Sequence, residues 1–342
     1  MTDLPAINSL NDVRGLLAQL PGPDDTAGAA AAAREPQLTK PPGSLGRLEE
    51  ISHWLALWQG RHPPTMDAPR AQVFAGNHGV TAQGVSAYPA EVTEQMVGNF
   101  SAGGAAINQL CKAFNIKLSV DALDLAHPTA DFTKQPAMTE EECVAAIQAG
   151  MDIVVGGSDV LCLGEMGIGN TTAAAAICHG LYGGAAADWT GPGTGVEGEA
   201  MTAKIKAVGD GVARHNAHNK GDGLDVLCSL GGRELAAIVG AVIGGRLKRV
   251  PVLLDGYVST AAAATLEATL AGALDHCMVG HVSTEPGHLR LLDAIGKTPL
   301  LDMHMRLGEA SGAALAVGIL KAAVACHSGM ATFAEAGVSD KD

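Results

Sequence analysis

The stretch Val160-Leu161-Cys162-Leu163-Gly164-Glu165-Met166-Gly167-Ile168-Gly169-Asn170-Thr171-Thr172 joins an apolar run to a glycine-rich turn and then to a helical pattern. The run Val160–Leu163 predicts a buried β-strand, and Asn170–Tyr182 predicts the helix that follows it. Such a strand, turn and helix form the unit of an open parallel sheet, and the turn offers free backbone N–H groups and the positive end of the helix dipole. We therefore predict an α/β fold with an anion-binding turn at Gly164–Thr172.

The glycine spacing separates this turn from the common nucleotide-binding motifs. It is neither the G-x-G-x-x-G pattern of dinucleotide-binding folds nor a P-loop, because no Gly-Lys followed by Ser or Thr occurs there. A phosphate of a nucleotide donor is the predicted ligand. The alternative is a tight strand-to-helix turn that binds nothing.

Short apolar runs alternate with helical patterns from residue 71 onward, which predicts βαβ units. The predicted strands are Ala71–Ala75, Ile116–Val120, Val160–Leu163, Val250–Leu254 and Cys277–Gly280. The predicted helices are Pro89–Phe100, Thr139–Val154, Asn170–Tyr182, Ala200–His215, Arg233–Gly245, Ser259–Leu270, Pro286–Ile295 and Glu309–Cys326. We predict a Rossmann-like parallel sheet flanked by helices in a large domain, residues 63–304. Residues 1–62 and 305–342, read as helical, form a second, smaller domain.

Composition and charge restrict the classes of partner. The 342 residues carry a formal net charge of −14 without a basic run, so we expect no nucleic-acid partner. The longest apolar stretches are short or interrupted, which predicts buried helices and no membrane span. Seven cysteines without a C-x-x-C pair, and an N-terminus without a secretory pattern, predict a cytoplasmic protein with free thiols.

Glycine-containing polar clusters follow nearly every predicted strand. They are Gly76–Gly79, Gly164–Asn170, Asp255–Tyr257 and His281–His288. Ligands of an open parallel sheet bind at the carboxyl ends of its strands, so we expect these clusters to meet in one crevice. An active site is therefore predicted there.

Cations that could bind an anionic ligand are scarce in this acidic chain. A second glycine-rich loop, Thr190–Gly195, precedes Lys204, which makes that lysine a candidate, although such a loop is more often merely flexible. The turn at Asp255 partly resembles the ribose-binding turn of pyrophosphate-donor phosphoribosyltransferases, but it lacks their second carboxylate, which favours a donor without a pyrophosphate leaving group. The histidines show no metal-ligand spacing, so neither a metal nor a cofactor is expected.

Glu309 lies at the predicted start of the last apolar helix. One role for its carboxylate is to stabilise the helix N-terminus. The other is that of a general base, if burial raises its pKa by more than the helix dipole lowers it. The sequence leaves the direction of this shift open.

Six motifs in one order make the chain resemble a single family. They are Lys40–Glu49, Ala75–Val80, Gly164–Thr172, Asp255–Tyr257, Gly280–His288 and Arg306–Glu309. Over nearly its whole length the chain is similar to the nicotinate-nucleotide:dimethylbenzimidazole phosphoribosyltransferases. The resemblance implies a homodimer that transfers 5-phosphoribose from nicotinate mononucleotide to 5,6-dimethylbenzimidazole in cobalamin biosynthesis. Inversion at the anomeric carbon would give α-ribazole 5′-phosphate and nicotinate.

The same resemblance implies roles for individual residues. Glu309 matches the family's catalytic base, and Glu165 resembles a residue at the reaction centre. Contacts with the donor phosphate and ribose are implied for Gly167, Gly169, Asn170, Thr171, Gly256 and Ser283. Lys204 resembles a lysine that reaches the neighbouring subunit's site. The implied acceptor pocket consists of Ser86, Tyr88, Gln95 and Leu307.

Two positions depart from the family's pattern. Pro192 stands where Arg is common, which removes a cation near the donor, and Ala310 stands where Gly is common. Two alternative functions stay open: a phosphoribosyltransferase of this fold with a purine or phenol acceptor, and a non-enzymatic nucleotide-binding module. The second would have no use for a base at Glu309.

Overall fold

The computed structural model describes residues 4–219 and 222–339, and a five-stranded parallel sheet lies at its centre. The strands are β1 (Pro69–Ala75), β2 (Lys117–Ala122), β3 (Val160–Met166), β4 (Val252–Leu254) and β5 (Cys277–Val279). They lie in the order β2-β1-β3-β4-β5, and each neighbouring pair is parallel. The predicted sheet is confirmed, with small shifts at the strand ends.

Helices cover both faces of the sheet. They are α1 (Leu10–Leu17), α2 (Asp25–Arg34), α3 (Arg47–Gln59), α4 (Glu91–Ala102), α5 (Ala106–Phe114), α6 (Glu140–Asp152), α7 (Asn170–Tyr182), α8 (Ala186–Trp189), α9 (Gly198–Asn219), α10 (Gly223–Leu230), α11 (Arg233–Leu247), α12 (Tyr257–Thr269), α13 (Pro286–Ala294), α14 (Ser311–Gly329) and α15 (Phe333–Ala336). Short 3-10 helices span Glu35–Gln37 and Gly79–Gln83. Helix α7 has the predicted bounds.

The sequence patterns missed four helices, α5, α8, α10 and α15, and misplaced the start of α14. Helix α10 is eight residues long and mostly buried, and Asp222 caps it by accepting hydrogen bonds from Leu224 N and Asp225 N. Helix α5 is only nine residues long and follows α4 after a two-glycine turn. Helix α14 begins at Ser311, not at the predicted Glu309, because Glu309 and Ala310 have left-handed backbone angles.

Successive side chains of the central strands pack into two separate apolar layers, one on each face of the sheet. Leu161 and Leu163 of β3 belong to the layer that includes α6, α7, α11 and α12. Val160 and Cys162 of the same strand point the other way, into the layer that includes α3, α5 and α14. Because successive residues of a strand face opposite sides, a sheet covered on both faces needs continuous apolar strands. This explains why the strands read as unbroken apolar runs.

Small residues allow the helices to approach closely in this core with few aromatic side chains. A methyl group added at Gly240 of α11 would lie 1.8 Å from the carbonyl oxygen of Ile147 on α6. One added at Gly150 of α6 would lie 1.9 Å from the carbonyl oxygen of Ala237 on α11. The two helices therefore pack backbone against backbone, which only glycine permits at these two positions.

Helix α14 connects the N-terminal helices to the sheet. Ile51 and Trp58 of α3 share one apolar cluster with Ala313 and Val317 of α14 and with Cys162 of β3. The division into residues 1–62 with 305–342 and residues 63–304 stays a prediction.

Helix α14 is also long and apolar enough to cross a membrane by length and composition, with a mean hydropathy of 1.4 and 44% of that window buried. The core helix of a soluble protein meets the same criteria. The expectation that the chain has no membrane partner stays an expectation.

The strand order locates the crevice. From β1 the chain goes outward to β2 and then returns to β3 on the opposite side of β1. Loops on either side of such a switch point diverge, and ligands bind there beyond the carboxyl ends of the strands. The turn between β3 and α7, residues 167–169, lies at this point, within the stretch where the sequence placed the anion site.

Candidate active site

A cleft of about 610 Å³ opens at the carboxyl ends of β3, β4 and β5, and we call it the donor cleft. Its lining residues are Glu165–Ile168, Asn170, Thr171, Gly193, Thr194, Gly256–Val258, His281, Ser283, Glu285 and Arg306–Gly308. Three of the four polar clusters meet here as predicted. The fourth, Gly76–Gly79, supports the β3 turn from behind, with Gly76 N donating to Met166 O at 3.0 Å.

The turn after β3 presents backbone N–H groups at the start of α7. Gly169 caps this helix with a φ of +95°, a left-handed angle that glycine adopts readily. The N–H groups of Gly167, Gly169 and Thr171 form no hydrogen bond within the described part of the chain. Unpaired N–H groups and the helix dipole together form an anion site. Gly167, Gly169, Asn170 and Thr171 are therefore brought together as predicted.

Lys204 of α9 lies directly behind this turn. Its Nζ donates to Thr171 Oγ1 at 2.7 Å and to Gly191 O at 2.9 Å, and the side chain is buried beneath the second glycine loop. Burial lowers the pKa of Lys204 to about 8, partly offset by the charge of Glu285. Lys204 Nζ thus lies beside Thr171 of its own chain, and the reach into a neighbouring subunit's site stays a prediction.

Glu165 closes the floor of the donor cleft at the end of β3. Its side chain is buried, and Asn170 Nδ2 donates to its Oε2. Burial raises the pKa of Glu165 well above its usual value, and the charges of Asp255, Glu234 and Glu309 raise it further, against the Asn170 hydrogen bond. These surroundings favour the protonated, neutral form of the Glu165 carboxyl group.

Glu309 follows Gly308, the last cleft-lining residue of its loop. Its backbone N–H donates to Glu165 O at 3.2 Å, which holds the two glutamates side by side. The side chain is 5% exposed, and among the described residues its Oε2 finds no hydrogen-bond partner. Burial, followed by the charge of Asp255, raises the pKa of Glu309 to about 7. This upward shift is the direction required of a general base near neutral pH, and it is the direction that the sequence left open.

The backbone that carries Glu309 is strained. Gly308, Glu309 and Ala310 have φ values of +85°, +62° and +63°. Glutamate and alanine are uncommon in this region, and such strain concentrates at functional sites. A methyl group at Gly308 would lie 2.7 Å from Glu165 Oε1, so the position requires glycine for its contact as well as for its angle.

Glu165 and Glu309 are neighbouring carboxyl groups whose pKa values differ. The pKa of Glu165 lies well above its usual value and that of Glu309 is about 7, although the two residues differ only in their surroundings. Neighbouring carboxyl groups with separated pKa values are the arrangement by which active sites assign an acid and a base. Glu309 is the group that can accept a proton at neutral pH.

The residues expected to bind the acceptor are only partly gathered. Leu307 lines the donor cleft and is 56% exposed. Ser86 lines a side cavity of about 260 Å³ that shares the β3 turn with the cleft and is also bordered by Lys204. Tyr88 is 52% exposed and Gln95 is also exposed; neither lines these two cavities within the described structure. Their part in an acceptor pocket stays a prediction.

Other side chains organise the cleft, and the sequence assigned them no such role. Asp255 Oδ1 accepts from Ala313 N at 2.9 Å and lies 3.5 Å from His281 Nδ1, so it joins the end of β4 to the start of α14. Glu285 Oε1 accepts from Gly193 N at 2.8 Å and so positions the second glycine loop. Their place in polar clusters after strands was the available signal. What each one contacts is set by the fold.

The predicted donor-ribose contacts Gly256 and Ser283 face the same cleft. Both line it, and Ser283 N donates to His288 Nδ1 at 2.8 Å, which fixes the turn after β5. Within the described residues, no group of three or more His, Cys, Asp and Glu side chains could hold a metal ion.

Comparison with known proteins gives consistent relatives. A family model described as phosphoribosyltransferase, DBI_PRT, matches residues 20–338. A nicotinate-nucleotide–dimethylbenzimidazole phosphoribosyltransferase of Sinorhizobium medicae is 60% identical over 331 residues, covering 97% of both chains. The enzyme of the same name from Rhizobium meliloti is 60% identical over 332 residues, covering 97% of this chain and 98% of the relative.

Solved structures show the same fold. The crystal structure of CobT from Thermus thermophilus superposes with a TM-score of 0.86 at 41% identity, covering 92% of this chain and all of that one. A second crystal structure from the same organism, of a phosphoribosyltransferase of the same name as the relatives, gives a TM-score of 0.84 at 40% identity, covering 93% of this chain and all of that one.

Proposed function

The chain belongs to the family of nicotinate-nucleotide–dimethylbenzimidazole phosphoribosyltransferases, and from this premise we propose how its site carries out the transfer. The enzyme transfers 5-phosphoribose from nicotinate mononucleotide to 5,6-dimethylbenzimidazole, with inversion, giving α-ribazole 5′-phosphate and nicotinate. The observation that supports our mechanism is the pairing of Glu165, whose pKa is raised well above its usual value, with Glu309, whose pKa is about 7, beside an anion-binding turn.

The donor phosphate binds at the start of α7. The unpaired N–H groups of Gly167, Gly169 and Thr171 supply hydrogen bonds, and Lys204 supplies a positive charge from behind Thr171. Gly256 and Ser283 face the ribose from the ends of β4 and β5. In an acidic chain, such a local arrangement compensates for the unfavourable long-range field.

Departure of nicotinate needs no acid. The bond between the anomeric carbon and the pyridinium nitrogen breaks, its electron pair goes to the nitrogen, and the ring leaves without that positive charge. The raised pKa of Glu165 favours its protonated form, which suits this step, because an ionised carboxylate at the same place would repel the carboxylate of nicotinate and the donor phosphate. Glu165 can also donate its own proton in a hydrogen bond to a ribose hydroxyl.

The acceptor's unprotonated nitrogen attacks the anomeric carbon from the face opposite to nicotinate. Direct displacement on the β-configured donor gives the α-configured product. The attacking ring becomes positively charged and must lose the proton on its other nitrogen. Glu309 takes this proton, and a pKa of about 7 keeps a substantial fraction of it ionised at neutral pH.

Acceptor choice is the part of the function tested most simply. None of the relatives reported above is named for a purine or phenol acceptor, and a binding module would have no use for Glu309. Incubation of the enzyme with nicotinate mononucleotide and equal concentrations of dimethylbenzimidazole, adenine and p-cresol should yield chiefly α-ribazole 5′-phosphate, identified by NMR. Preferential consumption of adenine or p-cresol would contradict the proposed acceptor.

The assembly and location of the enzyme are further parts of this proposal. A homodimer is supported by the family resemblance and by the exposed apolar side chains Met303 and Leu307 on the segment that precedes Glu309. A cytoplasmic location is supported by the seven cysteines, all of which carry free thiols. We propose that the two small-molecule substrates are its partners, with neither nucleic acid nor membrane. Sedimentation equilibrium at twice the chain mass would support the dimer; the mass of one chain would refute it.

A further inference from the structure

Arg306 is a cleft-lining residue to which the mechanism above gives no task. It lies at the mouth of the donor cleft beside Leu307 and Gly308, on the loop that leads to Glu309. Its Nη1 donates to Gly193 O at 3.0 Å, its single hydrogen bond within the described residues, and the side chain is exposed. The other guanidinium N–H groups are therefore available to a ligand.

The charged residues that line the donor cleft leave few cations for an anionic ligand. Among the described residues that line the donor cleft, Arg306 is the one Lys or Arg, whereas Glu165 and Glu285 are both there. Lys204 borders the adjoining side cavity, and its Nζ already donates to Thr171 and Gly191. An entering anion therefore meets Arg306 as the accessible cation.

The second glycine loop fixes the position of the guanidinium. Gly193 N donates to Glu285 Oε1 at 2.8 Å, while Gly193 O accepts from Arg306. The same residue packs against the donor site, because a methyl group at Gly193 would lie 2.8 Å from Thr171 Oγ1 and 3.0 Å from Lys204 Nζ. Arg306 is thus anchored, through one glycine, next to the region where the anion-binding turn and Lys204 meet.

We propose that Arg306 recognises a pair of anionic oxygens on the donor, those of its phosphate or those of its pyridine carboxylate. A planar guanidinium matches both groups by two parallel hydrogen bonds, which an ammonium cannot reproduce. The inference rests on the proposed function, since it concerns the donor of that reaction. Because Arg306 is three residues from Glu309, its engagement by the donor also holds the loop that carries the base.

The test compares Arg306→Gln and Arg306→Lys with Arg290→Gln. Arg290 is a matched control, because it lies on α13 near Asp188 and Trp189 and does not line the cleft. Arg306→Gln should raise the KM for nicotinate mononucleotide about tenfold or more, as expected for a lost charged hydrogen-bond pair, without changing the KM for dimethylbenzimidazole. Arg306→Lys should recover only part of the loss, and Arg290→Gln should match the wild type.

Competitive inhibitors separate the two anionic groups. Ribose 5-phosphate carries only the phosphate, and nicotinate carries only the carboxylate. A weaker inhibition constant of Arg306→Gln for ribose 5-phosphate, for nicotinate or for both supports the proposal and identifies the group. Unchanged constants for both, together with a donor KM like that of Arg290→Gln, would overturn it.

A purely structural role predicts a different pattern. If Arg306 only ties its loop to Gly193, the Arg306→Gln substitution should weaken the binding of neutral dimethylbenzimidazole as much as it weakens the binding of the anionic inhibitors. That result also overturns the proposal. Wild-type turnover in the same assay keeps the two questions apart. If the wild type shows no turnover, the proposed function is refuted. If the wild type turns over but Arg306→Gln changes neither the donor KM nor the inhibition constants, only the role of Arg306 is refuted.

Discussion

Glu309 shows how surroundings, and not residue type, assign chemistry. It and Glu165 are the same amino acid, joined by a backbone hydrogen bond of 3.2 Å, but burial and neighbouring charge raise the pKa of Glu165 well above its usual value and bring that of Glu309 to about 7. The sequence identified Glu309 as a candidate base through a family resemblance. It could not give the direction of the pKa shift, because this depends on Asp255 and on the exact start of α14.

The first prediction concerns the pH dependence of turnover. Since Glu309 acts as a base with a pKa of about 7, log kcat/KM should fall with a slope of one as pH drops below about 7, to about a tenth of its plateau at pH 6. A second fall is expected above about pH 8, where Lys204 loses its charge. Initial rates of nicotinate release across about pH 5 to 9 measure both limbs. An acid limb that persists unchanged in the residual activity of Glu309→Gln would assign it to another group.

The second prediction concerns stability. The folded-state pKa of Glu309 lies above its usual value of 4.5, so the native state binds the proton more tightly and stability falls as pH rises from about 4.5 to about 7. Glu309→Gln removes this penalty and should raise the free energy of unfolding at about pH 8 by about 1 to 3 kcal/mol. Urea denaturation at this pH and at about pH 4.5 measures it, and the gain should vanish at the lower pH.

Glu94→Gln is the control for this comparison. Glu94 is an exposed glutamate of α4, so the change removes one charge without relieving burial, and its effect should be small at both pH values. A Glu309→Gln protein less stable than the wild type at the higher pH would show that the carboxylate makes a compensating interaction.

At the scale of elements, the loop before α14 carries the strained geometry of the site. Gly308 has a φ of +85° and faces Glu165 at a distance that excludes a methyl group. The sequence marked Arg306–Glu309 as a motif but assigned Glu309 to the helix. The left-handed angles that end the loop leave no periodic signal, so the helix start was predicted two residues too early.

The third prediction tests this loop by a matched pair of substitutions. Gly308→Ala should lower kcat at least about tenfold, because the new methyl group displaces Glu165 or the segment that carries Glu309. Gly296→Ala introduces alanine at a similar φ of +64° where no atom lies within 4 Å, so it should cost about 1 kcal/mol of stability and leave kcat unchanged. Steady-state kinetics and thermal unfolding of both variants distinguish the effect of the methyl contact with Glu165 from the effect of backbone strain at positive φ. Equal kcat values would show that the contact with Glu165 is unimportant.

At the scale of the molecule, the parallel sheet was predictable because each central strand is buried on both faces. Val160–Leu163 is one apolar run because its residues pack alternately into the two apolar layers. The glycines that follow it mark the carboxyl end of β3. The strand order was not predictable, because it depends on which helices cover which face. The contacts of Asp255, Glu285 and Arg306 lie across loops distant in sequence, so only the folded chain brings them to the cleft.

The central claim is that Glu309 takes the acceptor's proton while phosphoribose moves from nicotinate mononucleotide to dimethylbenzimidazole. The most direct measurement is the rate of nicotinate release by the wild type and by Glu309→Gln, each with and without dimethylbenzimidazole, with donor affinity measured by calorimetry. The wild type should release nicotinate only with the acceptor present. Glu309→Gln should bind the donor equally well and turn over about 100-fold to 10,000-fold more slowly. A near-normal rate of Glu309→Gln would contradict the account. So would a wild type that releases nicotinate equally fast with and without dimethylbenzimidazole.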